Sequence, residues 1–341
     1  MRFFKDINID FLAYKKWALL CSALFIAAGI ISLVVRGPRF GVDFAGGTIV
    51  QVKFQQTADL AKIRQALQEI QLGDSTIQQY GPKSENEVLI SMQKSTGSLE
   101  GIGESIRKAL VNHFTEQGFE IRRVEMVGPK VGKDLRQQGL WAIIFSLIGI
   151  LVYAWWRFDF SFSVGGILAL AHDTLITIGA ISLTNREFNL TVLAAVLTII
   201  GYSINDTIVI YDRVRENVRL KRGDNLASII NVSINETMGR TFLTSFTTFL
   251  VCLSLFLLGG QVINDFAFAM VIGVIAGSYS TVFIASPVAL FIHDMGKGKA
   301  QRSPSAAEGA GGSRMTAQAA KATTSKIAAM NKAQKSTKKV P

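Results

Sequence analysis

Six long apolar runs limit this chain to a membrane architecture. A helix needs roughly 18 or more apolar residues to span the hydrocarbon core of a bilayer. The chain as a whole is 49% hydrophobic with a mean hydropathy of +0.32, which is rare among soluble proteins. The sequence therefore predicts a polytopic α-helical membrane protein with six transmembrane helices. These helices are expected at residues 17–35, 140–156, 162–183, 190–211, 242–258 and 265–293.

The first apolar run has the basic flank of a signal peptide, because Lys15 and Lys16 precede it. Its apolar core is longer than the roughly 7–15 residues of a signal-peptide core. The residues that follow, Val34, Val35 and Arg36, do not form a small-residue cleavage site. We therefore expect a retained transmembrane helix.

Cysteine and histidine usage gives no sign of a metal or a disulfide framework. The two cysteines, Cys21 and Cys252, both lie inside apolar runs. The three histidines, His113, His172 and His293, are scattered along the chain. We expect neither a metal nor a cofactor.

Basic residues are concentrated in two places and set the expected orientation. Short cytoplasmic loops of membrane proteins collect Lys and Arg. One basic segment is residues 212–241, between the fourth and fifth runs, and the other is the tail, residues 294–341. The turns at residues 184–189 and 259–264 carry little charge. We predict that both termini are cytoplasmic and that residues 36–139 lie in the periplasm.

The tail contains almost no large apolar side chains, so residues 294–341 are predicted to be disordered. The N-terminal stretch, residues 1–16, is expected to lie along the cytoplasmic surface. Anionic lipid is a candidate partner for the tail and for the basic loop at residues 212–241. Nucleic acid is not expected as a partner, because the basic residues do not share one folded face.

Residues 36–139 predict one small α+β domain. Alternating and amphipathic patterns give the order β-α-β-β-α-β, which is that of a ferredoxin-like fold. About 100 residues are enough for such a domain to bury its own core. We find no catalytic constellation in it, and we expect a binding or contact domain. The predicted strands and helices are residues 49–54, 58–70, 76–80, 87–92, 99–114 and 119–127.

Asp206 lies where hydrocarbon is expected, near the end of the fourth run. An ionised Asp at bilayer depth costs about 2.5–3.5 kcal/mol on insertion scales, so such residues usually have a partner or a function. The low dielectric disfavours the charged form, which suits an acid that binds and releases protons. Tyr202 and Ser203 are predicted to share the helical face of Asp206. Asp173 is a second acid within an apolar run, next to His172.

Several roles for these residues remain open from the sequence. Arg240, at the start of the fifth helix, is within reach of Asp206, but it also fits a snorkelling residue near the membrane surface. Arg213 is a rival partner for Asp206. Asp173 is either a further step in a proton relay or one half of a static pair with His172. A purely structural role is the alternative for Asp206.

Three motifs together resemble the SecD/SecF family of bacterial protein-export membrane proteins, within the resistance–nodulation–division superfamily. They are residues 41–48 (GVDFAGGT), 201–213 (GYSINDTIVIYDR) and 239–248 (GRTFLTSFTT). The resemblance extends from the first helix to about residue 294. It implies that six helices and one external domain form half of a pseudo-symmetric unit, with a SecD-like six-helix subunit as the other half.

The resemblance also implies a function and its residues. The family's functional acid falls on Asp206, its functional arginine on Arg240, and a polar helper on Thr244. Asp173 is a further candidate for proton coupling. The implied activity is proton-driven promotion of protein export, with Na⁺ as the alternative coupling ion. The external signature turn contains Gly41, Asp43, Gly46 and Gly47.

The partners implied are the SecYEG translocon, associated YajC- and YidC-type proteins, and the unfolded exported polypeptide. The expected location is the bacterial inner membrane. The chain is not expected to be an enzyme, because no hydrolytic chemistry is needed. Two alternative functions remain open, a half-transporter for small molecules or lipids and a passive scaffold of the translocon.

Overall fold

The computed structural model describes residues 8–81, 85–93, 99–114, 118–221 and 223–301. Most of the tail predicted to be disordered, from residue 302 onward, lies outside the described residues, as do residues 1–7 of the N-terminal stretch.

A small α+β domain follows the first long helix, α1 (Lys15–Arg36). One turn of 3₁₀ helix, Phe11–Tyr14, precedes α1, and a short helix, α2 (Val42–Ala45), follows it. The elements of the domain are then β1 (Gly47–Phe54), α3 (Leu60–Glu69), β2 (Thr76–Tyr80), β3 (Glu87–Met92), α4 (Leu99–His113) and β4 (Phe119–Val127).

The four strands form one antiparallel sheet with the spatial order β2-β3-β1-β4. Alternate residues of β1, including Val50 and Val52, are fully buried. They pack against Ile63 and Leu67 of α3 and Leu110 of α4, which recur at helical spacing on one face of each helix. The predicted ferredoxin-like domain is confirmed.

Six helical segments of the described chain are long and apolar enough to cross a membrane. Together with the α+β domain, they confirm the predicted fold class. After α1 they are α5 (Pro129–Arg157), α6 (Phe160–Leu183), α7 (Leu190–Leu220), α8 (Leu226–Leu258) and a last segment composed of α9 (Asn264–Ser280) and α10 (Ser286–Gln301). The central members are α6, α7 and α9, whereas α5 and α8 are mostly exposed.

One turn of π-helix, Thr281–Ala285, joins α9 to α10. Pro287 lacks a backbone N–H and cannot bond the carbonyl of Phe283, which loosens the helix at this point. Such π turns are rare and frequently occur at functional sites.

The segment expected from the sequence to be a basic loop, residues 212–241, is mostly helical. Helix α7 continues to Leu220 and α8 begins at Leu226, so only a short turn separates them. The 33 residues of α8 extend about 50 Å, well beyond the roughly 30 Å of a hydrocarbon core. The charged side chains of residues 212–241 therefore lie on parts of α7 and α8 that continue beyond the apolar runs.

Two turns at one end of the helix bundle contact the α+β domain. In the turn between α6 and α7, Glu187 accepts a 2.6 Å hydrogen bond from Thr76 and lies 3.5 Å from the Arg39 guanidinium. In the turn between α8 and α9, the Gln261 side chain accepts a 2.7 Å hydrogen bond from the backbone N–H of Gln79. Strand β2 is thus bonded to both turns.

The signature turn before β1 is bonded directly to the start of α7. The backbone N–H of Gly41 donates to the Phe188 carbonyl over 3.0 Å, and the Phe188 N–H donates to the Arg39 carbonyl over 2.8 Å. The Asp43 carboxylate accepts from the backbone N–H of Leu190 over 3.1 Å. Because the first N–H groups of a helix have no partner within it, Asp43 acts as a cap for α7.

Gly46 and Gly47 allow the backbone at the start of β1 to lie close to neighbouring backbone. Gly46 has φ +79°, a conformation that side chains rarely adopt, and an added Cβ would lie 2.8 Å from the Cα of Pro129. A Cβ on Gly47 would clash with the Met92 carbonyl oxygen. Gly46 therefore allows the domain to lie close to the start of α5, and Gly47 allows β1 to lie close to the end of β3.

We predict that Gly46→Ala destabilises the protein by about 2 kcal/mol, because it strains the backbone and forces Pro129 away. The measurement is thermal denaturation of the purified protein in detergent. Gly128→Ala is the matched control, because Gly128 has φ −65° and open space around its Cβ direction. Equal denaturation midpoints for the two variants would contradict this account of the turn.

Candidate functional site

Asp206 lies near the middle of α7 and is only 4% exposed. It is about 24 Å along the helix axis from Leu190 and about 21 Å from Leu220. The apolar run ends at Tyr211, roughly 8 Å along the axis from Asp206, but α7 continues beyond that run. The carboxylate is therefore deep within the bundle and far from either helix terminus.

Two hydroxyl groups of α8 contact the Asp206 carboxylate. Ser245 donates to one oxygen over 3.1 Å, and Thr244 lies 3.4 Å from the other. The Thr244 hydroxyl also lies 3.1 Å from the Arg240 carbonyl and 3.0 Å from the Thr241 carbonyl. Because a hydroxyl has only one proton to donate, Ser245 is the firmer ligand and Thr244 the more easily lost one.

Neither arginine considered from the sequence forms an ion pair with Asp206 in the described part of the chain. Arg240 is exposed and has no ion pair among the described residues. Arg213 instead lies 2.6 Å from both Glu216 and Glu236. Of the two rival partners, Arg213 is therefore already paired with other carboxylates.

Asp173, on α6, forms a separate and fully buried site. Its Oδ2 accepts from Ser203 of α7 over 2.6 Å and from Ser280 of α9 over 2.8 Å. Its Oδ1 lies 2.9 Å from Nδ1 of His172. Three helices therefore meet at this carboxylate, and the predicted contact with His172 is present.

The Asp173 site continues toward α1 through His172. Nε2 of His172 lies 3.0 Å from the Ser22 hydroxyl, which donates to the Tyr279 hydroxyl over 3.3 Å. Tyr279 in turn donates to the Ala18 carbonyl over 2.6 Å. The chain of hydrogen bonds thus ties α1 and α9 to the acid on α6.

Helix α7 serves both acids, because Ser203 lies one turn before Asp206. The sequence predicted that Ser203 and Tyr202 share the face of Asp206. Ser203 instead bonds Asp173, and the buried Tyr202 hydroxyl has no hydrogen-bond partner among the described residues. A rotation or shift of α7 would therefore disturb both carboxylates together.

The role of Ser280 was not predicted from the sequence. Ser280 directly precedes the π turn and Thr281 is its first residue, in a mainly apolar run that also contains Ser278 and Tyr279. Thr281 lies 3.1 Å from the Thr207 hydroxyl, one residue after Asp206. The adjacent hydroxyl residues Ser280 and Thr281, seven and six positions before Pro287, were the available signal for this contact.

We predict that Ser280→Ala destabilises the bundle by about 1 kcal/mol, since Asp173 loses one of its hydrogen-bond donors. Unfolding of the detergent-solubilised protein by a denaturing detergent measures this loss. Ser278→Ala is the control on the same helix, because Ser278 bonds only the Val274 carbonyl among the described residues. A similar loss in both variants would argue against a structural role for the Asp173 contact.

This combination defines a class of protein, a polytopic membrane protein that keeps acids deep in its bundle and has a folded domain at one end. In membrane proteins, acids at this depth commonly belong to ion pathways or proton relays. A family model described as "Protein export membrane protein SecD/SecF, C-terminal" matches residues 106–295, and one described as "SecD/SecF GG Motif" matches residues 31–58. The chain belongs to the SecD/SecF family.

Relatives named "Protein translocase subunit SecF" are similar along most of the chain. The protein from Calditerrivibrio nitroreducens is 44% identical over 295 residues, which are 86% of this chain and 96% of that relative. The protein from Desulfurispirillum indicum is 45% identical over 285 residues, covering 82% and 90% of the two chains.

A solved structure has the same fold. The crystal structure of SecDF from Thermus thermophilus, titled a translocon-associated membrane protein, superposes with a TM-score of 0.74 at 33% identity. The match covers 86% of this chain but only 40% of that one, so the SecDF chain is much longer than the part matched here.

Proposed function

We propose that this chain is a subunit of the machinery that exports proteins across the bacterial inner membrane, and that it uses the proton-motive force. The names of its relatives support the export role. The observation that carries the proposed coupling is the Asp206 carboxylate, buried in the middle of α7 and bonded only to hydroxyl groups among the described residues.

Asp206 is suited to alternate between two protonation states. The neutral acid is favoured by burial, and it retains both hydroxyl neighbours as hydrogen-bond partners. The carboxylate retains the donors Ser245 and Thr244, and the proposed role of Arg240 is to stabilise its negative charge. Movement of one proton across the membrane potential supplies about 2.3 kcal/mol per 100 mV. H⁺ is the proposed coupling ion, with Na⁺ as the alternative.

The proposed output is movement of the α+β domain. Asp206 changes how α7 packs on α8, and Asp43 caps the start of the same helix from the domain side. Glu187, in the turn before α7, bonds Thr76 of β2. A shift of α7 would therefore be transmitted to the domain through bonded groups, without any hydrolytic chemistry, and the chain would act as a transport component.

The proposed partner in the membrane is a SecD-like six-helix subunit. This chain covers 40% of the SecDF chain, and its helices α5 and α8 are largely exposed. Further proposed partners are SecYEG, YajC- and YidC-type proteins and the unfolded exported polypeptide. The proposed orientation places the α+β domain in the periplasm and both termini in the cytoplasm, following the basic segments.

We predict that Asp206→Asn abolishes the proton-gradient-stimulated part of protein export, because asparagine keeps the shape of the acid but cannot titrate. Export into sealed membrane vesicles, with and without a proton gradient, measures this effect. Asp212→Asn is the matched control on α7, because Asp212 is only partly buried and is paired with Arg157.

Three results are informative. Loss of gradient stimulation in Asp206→Asn alone, with complex assembly intact, supports proton coupling at Asp206. Unchanged export in this variant would leave a structural role for Asp206 and favour the scaffold function. Gradient-driven efflux of a small molecule or lipid without an effect on export would favour the half-transporter.

A further inference from the structure

A cavity of about 340 Å³ lies between α1, α5, α6 and α7, next to the signature turn. Ligand pockets typically range from about 300 to 1,000 Å³, so the cavity is large enough for part of a small molecule or a lipid chain. Four of the six apolar runs end or begin at its level, near residues 35, 140, 183 and 190. The cavity is therefore at the boundary between hydrocarbon and water, on the side of the α+β domain.

The walls of this cavity are mainly apolar. Leu33 of α1, Leu140 and Ile143 of α5, Ile178 of α6 and Leu193 of α7 line it. Leu140 is 59% exposed, so the cavity is open beside α5. Aliphatic walls at this depth fit an alkyl chain better than a polar ligand.

Four arginines also line the cavity, and two of them are already paired. Arg39 lies 3.5 Å from Glu187, and Arg186 forms an ion pair with Asp265. The charges of these two arginines are thus largely balanced within the protein.

The other two arginines, Arg36 and Arg136, have no carboxylate partner among the described residues. Both are exposed, and the Arg136 guanidinium lies 4.9 Å from the centre of the Phe40 ring. This cation–π contact fixes Arg136 at the cavity without neutralising it. Two unbalanced cations therefore stand beside an apolar cavity.

We propose that this cavity binds one anionic phospholipid, with its phosphate at Arg36 and Arg136 and one acyl chain against the apolar wall. Guanidinium groups match phosphate geometry and bind it through paired hydrogen bonds. A small inorganic anion would leave the apolar walls without a partner, and an uncharged hydrocarbon would leave both arginines unbalanced. An anionic amphiphile satisfies both features. This proposal does not depend on the export function.

The position of the lipid gives it a structural consequence. Gly37 and Pro38, which connect α1 to the signature turn, line the same cavity. Gly37 has φ +74° and nothing within 4 Å of a Cβ built on it, so the connection is loosely packed. A lipid bound beside it would restrict the junction between α1 and the α+β domain.

Native mass spectrometry of the full chain in detergent tests the proposal, with phosphatidylglycerol and phosphatidylcholine of identical acyl chains as probes. We expect the wild type to bind one phosphatidylglycerol more tightly than phosphatidylcholine. The double variant Arg36→Gln/Arg136→Gln should bind phosphatidylglycerol roughly thirtyfold more weakly. Each basic residue near an anionic lipid surface strengthens binding roughly five- to sixfold, and the two factors multiply.

Two further variants separate the charge from the cavity. Lys133→Gln removes one positive charge, as each single arginine substitution does, from an exposed position one turn earlier on α5, outside the cavity lining, and should leave binding unchanged. Leu140→Trp fills the cavity while keeping both arginines, and should weaken both lipids. Thermal denaturation checks that each variant is folded.

Equal retention of phosphatidylglycerol by the wild type and by the folded double variant would overturn the proposal. So would unchanged binding in Leu140→Trp, because the lipid would then lie outside the cavity. Equal affinity of the wild type for both lipids would also overturn it, since the arginines would not be selecting an anion.

Discussion

Burial of carboxyl groups in an apolar bundle is the constraint on which the rest of this structure depends. A buried polar group is costly unless it is hydrogen-bonded, and a buried charge is more costly still. Asp173 meets this requirement with Ser203 of α7, Ser280 of α9 and the preceding residue on α6, His172. Asp206 meets it less fully, with Ser245 and a shared Thr244 hydroxyl. Asp173 is therefore more fully hydrogen-bonded than Asp206 within the same bundle.

This difference suggests different roles. The Asp173 network joins α6 to α7, α9 and, through His172 and Ser22, to α1, so it suits a fixed point of the bundle. Asp206 has fewer partners and faces only α8 among the described contacts. A group that must gain and lose a proton is better placed where fewer bonds have to be remade. The proposed coupling therefore assigns the moving contact to α7 and α8.

Much of the architecture was predictable because its signals are local. The six helices follow from the length of the apolar runs, and the α+β domain follows from alternation in β1 and helical spacing in α3. The extension of α7 and α8 was not predicted, because charged residues such as Arg213 and Glu236 end an apolar run without ending a helix. The ion pair between these two residues joins the two helices beyond their apolar runs.

The candidate site was predictable only in part. Asp206, Asp173 and Thr244 could be selected because polar residues stand out in apolar runs. Their contacts could not, because the rotation of each helix decides whether Ser203 faces one acid or the other. The contact of Ser280 depends on the packing of α9 against α6, and that of Thr281 on the packing of the π turn against α7. Among the described residues, Arg240 does not make the ion pair with Asp206 that its position in the sequence allows. These features require three-dimensional information.

The most direct test of the account is whether Asp206 binds a proton. Difference infrared spectroscopy of the full chain in lipid, recorded between acidic and alkaline pH, detects the carbonyl stretch of a protonated carboxyl group. The account predicts a band that is lost in Asp206→Asn and retained in Asp212→Asn. A spectrum unchanged by Asp206→Asn would contradict it, because the acid would then not titrate and could not couple proton movement to the domain.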